Sequence, residues 1–493
     1  MAGTTDFEKL NFSRPLDIHT WSDYAEVNTF VDVIFKELKG INGHRKTLQK
    51  LLKVLLLDLY VAWNSNPDLK LTFSRDNNAY AAKSRYNELF IGKKIIEVVN
   101  ALVASDLVHE KRGFNDRSTG SGFQTRLWAT SRLIEHFKRA KFHQFYVHNH
   151  EQREFVILRD KDKCNIEYVD EDQNVDLVSM RNLLRDYNKL LEETHIDIET
   201  LDGPTIEFGK GKVKTYLPIN QRDKFVRRIF NNGEWHQGGR FYGGWWQRCP
   251  KEWRKEIAFD GVRAVELDYS GLHIVILYAQ LGINYWKDIG EDPYQVDKVQ
   301  AFDLEIDMRS AAKLLLLTAI NADSEKTAFH AFRYQSKTGS AQKRMKDKEL
   351  AMLLDHLKKK HSAISHKIAS GAGIGLMYVD SQITERLIKR FTYHHKCPML
   401  SVHDSYLVPF GYDRILHEEM CNAFCEVTGM SDPSIKHTED YYDIVQAGFP
   451  PEEPEDFVSP SPSERHRKER ELFNEFKDKP RAEDWHPDWT LIY

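Results

Sequence analysis

The stretch VELDYSGLH, Val265–His273, decides how this chain is read: an apolar run of β character that delivers a single aspartate, Asp268, near its end, followed by Tyr-Ser. A second stretch of the same kind, SVHDSYLVP at Ser401–Pro409, delivers Asp404 between His403 and Ser405 at what reads as a hairpin turn. A carboxylate in such surroundings is costly to bury unless positive charge compensates it. Two of them drawn together from distant sequence repel each other, and a divalent cation is the usual remedy. The competing reading is two aspartates capping unrelated turns.

Working outward, the 493 residues suffice for roughly two to four domains. Hydrophobic residues at 41% and charged residues at 29% are ordinary for a globular protein. A net charge of −4 excludes a surface coated in basic residues, but leaves room for a locally basic groove. The five cysteines form no CxxC pair and no zinc-type spacing. No signal peptide and no membrane-length apolar run is read, so the expectation is a cytoplasmic, reduced protein that does not enter a membrane.

The amino-terminal third is helical in pattern. An amphipathic segment lies near Val27–Leu38, and TLQKLLKVLLLDLYVAW (Thr47–Trp63) predicts a strongly apolar central helix. Phe90–Val108 follows, with Ile95, Val98, Val99, Leu102 and Val103 at helical spacing, then two short strand-like stretches flanking FNDRSTGSG. Helix, strand, tip and returning strand is the order of a winged helix. Lys93, Lys94, Lys111, Arg112, Arg117 and Arg126 put positive charge on the helix start and wing. Such charge suits DNA phosphates, although winged helices also serve as protein-binding modules and a charge run can be a solvated face.

Further on, EFVILRDKDKCNIEYVDED suggests a hairpin, LRDYNKLLEETHI a helix, and TIEFGKGKVKTYLPIN a second hairpin around 209–211. The Pro/Ser/Glu-rich stretch beyond Gly448 reads as a linker, ending in a tail with Trp485, Trp489 and Tyr493. The expected division is 1–145 as a helical, winged-helix-like domain, 146–235 as a connecting or thumb-like region, 236–447 as the chemical body and 448–493 as linker and tail.

Four strings stand in order in that body: GGRFYGGWWQRCP (Gly238–Pro250), ELDYSGLHIVILY (Glu266–Tyr278), RSAAKLLLLTAINA (Arg309–Ala322) and VHDSYLVP (Val402–Pro409). Together they resemble the family A DNA polymerases and the related single-subunit phage-type RNA polymerases. The resemblance covers about Gly233–Tyr412. It implies an α+β fold: a palm of antiparallel sheet with helices, fingers and thumb-like parts. Asp268 matches the first catalytic aspartate, in the D-Y-S context of the DNA enzymes. Arg309 and Lys313 match the R-x-x-x-K of the nucleotide-binding helix, and Thr318 fits the phage RNA polymerase version. His403-Asp404-Ser405 matches the last motif, and Arg240 with Gln247 the motif that holds primer–template.

The chemistry implied is two-metal nucleotidyl transfer, with Asp268, Asp404 and the main-chain carbonyl of Tyr269 on Mg²⁺, or Mn²⁺ as the alternative. Arg309 and Lys313, four apart on one helix face, would meet a triphosphate and stabilise its transition state. Two departures bear on substrate choice. His273 stands where the DNA enzymes usually place a glutamate against the sugar, and Asn321 stands where both families usually place a tyrosine. Ribose versus deoxyribose is therefore open. The partners implied are template, primer and nucleoside triphosphates, in a setting such as mobile-element replication or priming. The rival readings are a non-catalytic DNA-binding initiator or regulator and a metal-dependent nuclease. Asp380 and Ser381, at the start of the helical stripe GLMYVDSQITERLIKRF, read equally well as a helix N-cap.

Overall fold

The computed structural model describes residues 10–80, 83–116, 121–171, 175–210, 213–296, 306–437, 461–477 and 479. The chain is a mixed α+β protein. Among the described residues no helix is long and apolar enough to cross a membrane.

In the first 147 residues, helices α1 (Ala25–Glu37), α2 (Arg45–Ser65), α3 (Ile95–Ala104) and α4 (Ser131–Arg139) surround a sheet of four short strands: β1 (Ser13–Pro15), β2 (Lys70–Phe73), β3 (Val108–Lys111) and β4 (Thr125–Ala129). The strand order is β1-β2-β4-β3, with β4 antiparallel to both β2 and β3. Helix α2 is apolar nearly all round because it is buried nearly all round, Leu48 to Ala62 forming the middle of a core of its own. A short hairpin, Phe114–Asp116 with Ser121–Phe123, sits between β3 and β4.

A second core runs from Phe155 to Phe424. Strand β5 (Val156–Leu158) pairs in parallel with β7 (Arg227–Asn231), which pairs with β8 (Glu234–Tyr242); α5 (Leu177–Glu192) and β6 (Ile196–Ile198) lie between β5 and β7 in sequence. The hairpin expected of Glu154–Asp172 forms only as a short antiparallel turn, in which the Ile166 amide donates to the Leu158 carbonyl and the Asp160 amide to that of Cys164. Its apolar half joins a distant strand, and the charged return leaves one isolated bridge, Arg159 to Asn165. The hairpin at Thr205–Lys210 and Val213–Pro218 forms as expected.

The central sheet adds β9 (Ile257–Phe259), β10 (Val262–Tyr269), β11 (Leu400–Val402) and β12 (Ser405–Pro409) in the order β6-β9-β10-β12-β11. All neighbours along this path are antiparallel. Helices α6 (Leu272–Ala279), α7 (Met308–Asn321), α8 (Glu325–Gln335), α9 (Asp347–Lys360), α10 (Gly373–Arg390) and α11 (Asp413–Thr428) complete the body, with β13 (Ile435–His437) pairing to the end of β10.

Part of the expected linker is a helix, α12 (Glu464–Phe476). Its Ser463 cap accepts from the His466 amide, and Phe473 is buried against Phe145 and the His195 ring. Phe476 packs on Tyr24 and Tyr146 of the first core. A polar composition hid two aromatic anchors spaced for one helix face. The remainder of that stretch and the tail with Trp485, Trp489 and Tyr493 lie outside the described residues.

Candidate active site

The two diagnostic aspartates meet because β10 and β12 are neighbours. The register sets Asp268 opposite Ser405, the residue after Asp404. Strands β11 and β12 are joined by the two-residue turn His403-Asp404, closed by the pair Val402–Ser405. His403 takes φ +58°, the left-handed conformation that tight two-residue hairpins demand. The Tyr269 amide then donates to the Asp404 carbonyl at 3.3 Å, locking the turn to the end of β10.

Both carboxyl groups are held above the ordinary aspartate range. Asp268 is pushed up by burial, then by Asp404 and Glu266, against the opposing pull of Lys313 and Lys251. Asp404 is pushed up by burial and then by Asp380, with His273 and Arg240 pulling the other way. No side-chain donor among the described residues is hydrogen-bonded to either carboxylate, whereas neighbouring Glu266 accepts from Arg254 at 2.8 and 3.1 Å and from the Ser405 hydroxyl at 2.8 Å. Two adjacent carboxylates left without side-chain donors suit a divalent cation that takes oxygen ligands and retains water and phosphate ligands of its own. Asp268 and Asp404 fit that group.

Helix α7 supplies the facing charge. Arg309, Lys313, Leu317 and Asn321 succeed one another at four-residue spacing along its less buried side, while Ala312, Leu315, Leu316 and Ala319 are buried on the other. Lys313 acts electrostatically on Asp268, and its ammonium lies 5.6 Å from the ring centre of buried Tyr294. Arg309 lies 5.8 Å from the same ring and is held by Asp292 at 2.5 Å. Burial and the nearby charges of Asp404, Asp292 and Asp268 hold the Tyr294 hydroxyl above its ordinary value, so the ring lies near both the helix cations and the aspartates. Asn321 donates to the Leu317 carbonyl at the far end of α7. The Thr318 hydroxyl bonds back to the carbonyls of Leu314 and Leu315, a local helix contact.

A third carboxylate enters from α10. Asp380 lies in the interior of that helix, the eighth residue counted from Gly373, and is fully buried, so the N-cap alternative is corrected. Arg240 donates to it through Nε at 2.7 Å and Nη2 at 2.5 Å, and Arg240 Nη2 also donates to His273 Nε2 at 3.0 Å. Arg240 reaches α10 because β8 bulges: Gly238 and Gly239 take φ +78° and +72° where the register with β7 slips. A Cβ on Gly239 would stand 2.9 Å from both the Phe230 ring and Ser381 Oγ, so only glycine lets the strand lie this close to α10. Buried Arg228 reinforces the junction through Gly239, Ser381 and Glu385.

Gln247 donates to the carbonyls of Phe241 and Ser401, so its side chain ties the loop after β8 to β11. Tyr269 buries its ring and donates from its hydroxyl to Met420, leaving only main-chain groups for any site role. His403, exposed at the turn tip, stands beside Asp404.

Of the amino-terminal basic residues, Lys93, Lys111 and Arg112 are exposed, Arg112 next to Glu110, and Lys94 pairs with Glu97. Arg126 is a correction: it is 8% exposed and donates to the carbonyls of Leu10 and Gln124, which takes it out of any outer surface. Arg117 lies outside the described residues.

Glu266, Arg254 and Tyr294 escaped the sequence reading, and Asp380 was singled out there without a role at the site. Glu266 was findable, since period-two alternation puts residues 266 and 268 on one face of β10. Asp380 offered a weaker signal, a lone acid inside an apolar helical stripe.

No protein-family model and no curated protein matches this chain. Among solved structures, it is similar to the POL domain of Pol1 from M. smegmatis in complex with DNA primer-template and dNTP, at 11% identity and a TM-score of 0.30, covering 84% of this chain and 69% of that one. A likeness at that TM-score carries no argument about fold or activity.

Proposed function

We propose that this chain is a template-directed nucleotidyl transferase, a DNA polymerase or primase-polymerase, acting on primer–template and nucleoside triphosphates at the Asp268–Asp404 pair. The observation that supports the reading is the juxtaposition itself: two carboxylates from β10 and the β11–β12 turn that no side-chain donor among the described residues satisfies, with Lys313 acting electrostatically on Asp268. Asp268, Asp404 and the Tyr269 carbonyl would hold Mg²⁺, which supplies charge neutralisation and activation of a hydroxyl nucleophile.

The rest of the work falls to side chains. Lys313 and Arg309 bind triphosphate oxygens and hold the leaving pyrophosphate, with Tyr294 fixing where both cations stand. Arg240, clamped by Asp380, orients His273 toward the place where a sugar would sit. Because His273 Nε2 already accepts from Arg240, its bulk and its Nδ1–H are what remain to discriminate between ribose and deoxyribose. The amino-terminal unit, with strand order β2-β4-β3 and exposed Lys111 and Arg112 at the end of β3, is proposed as a winged helix that contacts nucleic acid through Lys93, Lys94 and Arg112. Residues 236–447 form the proposed catalytic body and 146–235 its connecting region.

The test is primer extension with Mg²⁺, offering dNTPs and NTPs separately on primed and unprimed templates. Incorporation that Asp268→Ala and Asp404→Ala each abolish is expected. Incorporation unchanged in those variants removes the site assignment, and DNA breakdown in the absence of nucleotides points instead to a nuclease. His273→Glu is expected to alter the ratio of dNTP to NTP use.

A further inference from the structure

Away from that site, the carboxy-terminal helix α12 is pinned to the edge strand β6 by an unusual set of buried groups. His195, immediately before β6, and Asp197 within it are both fully buried. Glu469 comes from α12, and one ligand atom from each of the three lies within 4.8 Å of the others, the one such group of three among the described residues. Neither ring nitrogen of His195 has a hydrogen-bond partner. An imidazole buried without partners loses its hydration with nothing in return, so it needs a ligand for its free nitrogen.

The surroundings resemble a metal ligand's outer shell. Asp197 accepts from Arg465 at 2.9 and 3.0 Å and from His466 Nδ1 at 2.7 Å. Arg465 also donates to Glu469 at 3.0 Å. Each carboxylate has about four lone-pair directions, so these bonds orient it and leave others for a cation. Phe145 and Phe473 wall the imidazole, and Lys224 lies near. Burial pushes Lys224 down to about 7, which weakens its opposition to a second cation. Asp197 and Glu469 carry two negative charges against the one of Arg465, and Glu199, 3.7 Å from His466, adds a third that is shared with Arg470 and Arg263.

We infer that His195, Asp197 and Glu469 form a structural site for a divalent transition metal of the zinc class, clasping α12 to the sheet edge and remote from the Asp268–Asp404 pair. Zinc accepts imidazole nitrogen and carboxylate oxygen as ligands, and water would complete its fourth position here, whereas magnesium favours an all-oxygen, water-rich octahedron. The metal would join β6 to a helix that also touches the first core through Phe476, with Lys479 beyond its end reaching Glu26 and Tyr146, so its loss loosens the contact among all three.

The test uses the full chain without a histidine tag. Bound metal is measured by elemental mass spectrometry after dialysis, and melting temperature is followed against added zinc and against EDTA. About one zinc per chain is expected, with the melting temperature falling in EDTA and recovering with zinc. Glu469→Gln, a nearly isosteric change on a half-buried side chain, is expected to weaken retention at least tenfold, and His195→Ala to abolish it. Should His195→Ala fail to fold, Glu469→Gln decides alone. A wild-type chain that retains no zinc and melts identically with zinc and with EDTA overturns the inference. So does zinc retained undiminished in Glu469→Gln.

Discussion

Replacing Asp268 by asparagine should make the protein more stable at pH 8 while removing its proposed activity. The folded chain raises the Asp268 carboxyl from the ordinary 3.8 to about 7, through burial and then through Asp404 and Glu266. A carboxyl whose folded value is raised favours folding while protonated, and that contribution is lost as pH rises through the folded value. Between about pH 4 and pH 7 the wild type therefore loses stability through this group, and above that window the full penalty is in place. At ~1.4 kcal/mol per pH unit the ceiling is ~4 kcal/mol. Asp404 titrates with Asp268 as a pair, so removing one member relieves a shared repulsion and ~1–3 kcal/mol is the expected gain. In a cooperative unit of 150–250 residues that is a rise of about 2–4 °C per kcal/mol. The assay is thermal melting of wild type and Asp268→Asn from pH 5 to 8 in EDTA, repeated with Mg²⁺. The variant should gain stability over wild type as pH rises, and Mg²⁺ should narrow the gap by stabilising wild type alone. A variant that melts at or below wild type at pH 8 in EDTA would refute the electrostatic reasoning.

Other outcomes follow from the same geometry. Lys313→Ala should lower kcat by about 10²–10³, the loss typical of one transition-state donor, while Arg309→Ala, whose guanidinium is already engaged by Asp292, should cost less and mainly raise the nucleotide KM; steady-state extension kinetics separate the two. Asp380→Ala leaves Arg240 without its buried partner and should cost ~3–5 kcal/mol in denaturant unfolding, with Asp380→Asn costing less. Arg126→Ala should lower the melting temperature through two lost main-chain contacts, whereas Lys93→Ala and Arg112→Ala should leave melting unchanged and reduce the salt dependence of DNA binding.

Local pattern carried a good deal of this protein. Alternation and apolar runs marked β10 and β12, and helical spacing marked α2, α3, α5, α7 and α10, because those signals depend only on which face of an element is buried. The same spacing put Arg309, Lys313 and Asn321 on one stripe of α7. Composition failed at α12, where a polar, proline-flanked stretch concealed Phe473, Phe476 and an arginine that seats on Asp197. It failed again at Arg126, since a positive charge in sequence says nothing about whether main-chain carbonyls will surround it.

What the amino-acid order determined by itself was the pair of aspartate-bearing strands and the cationic helix, each a short-range pattern. Only the tertiary structure decided that strand β12 lies beside β10 in a register that sets Asp268 against the Asp404 turn, and that Asp380 comes up beneath them with Arg240 and His273. The reason is physical. The register of β10 with β12 and the descent of α10 onto β8 depend on contacts between residues more than a hundred positions apart, and no local periodicity encodes them.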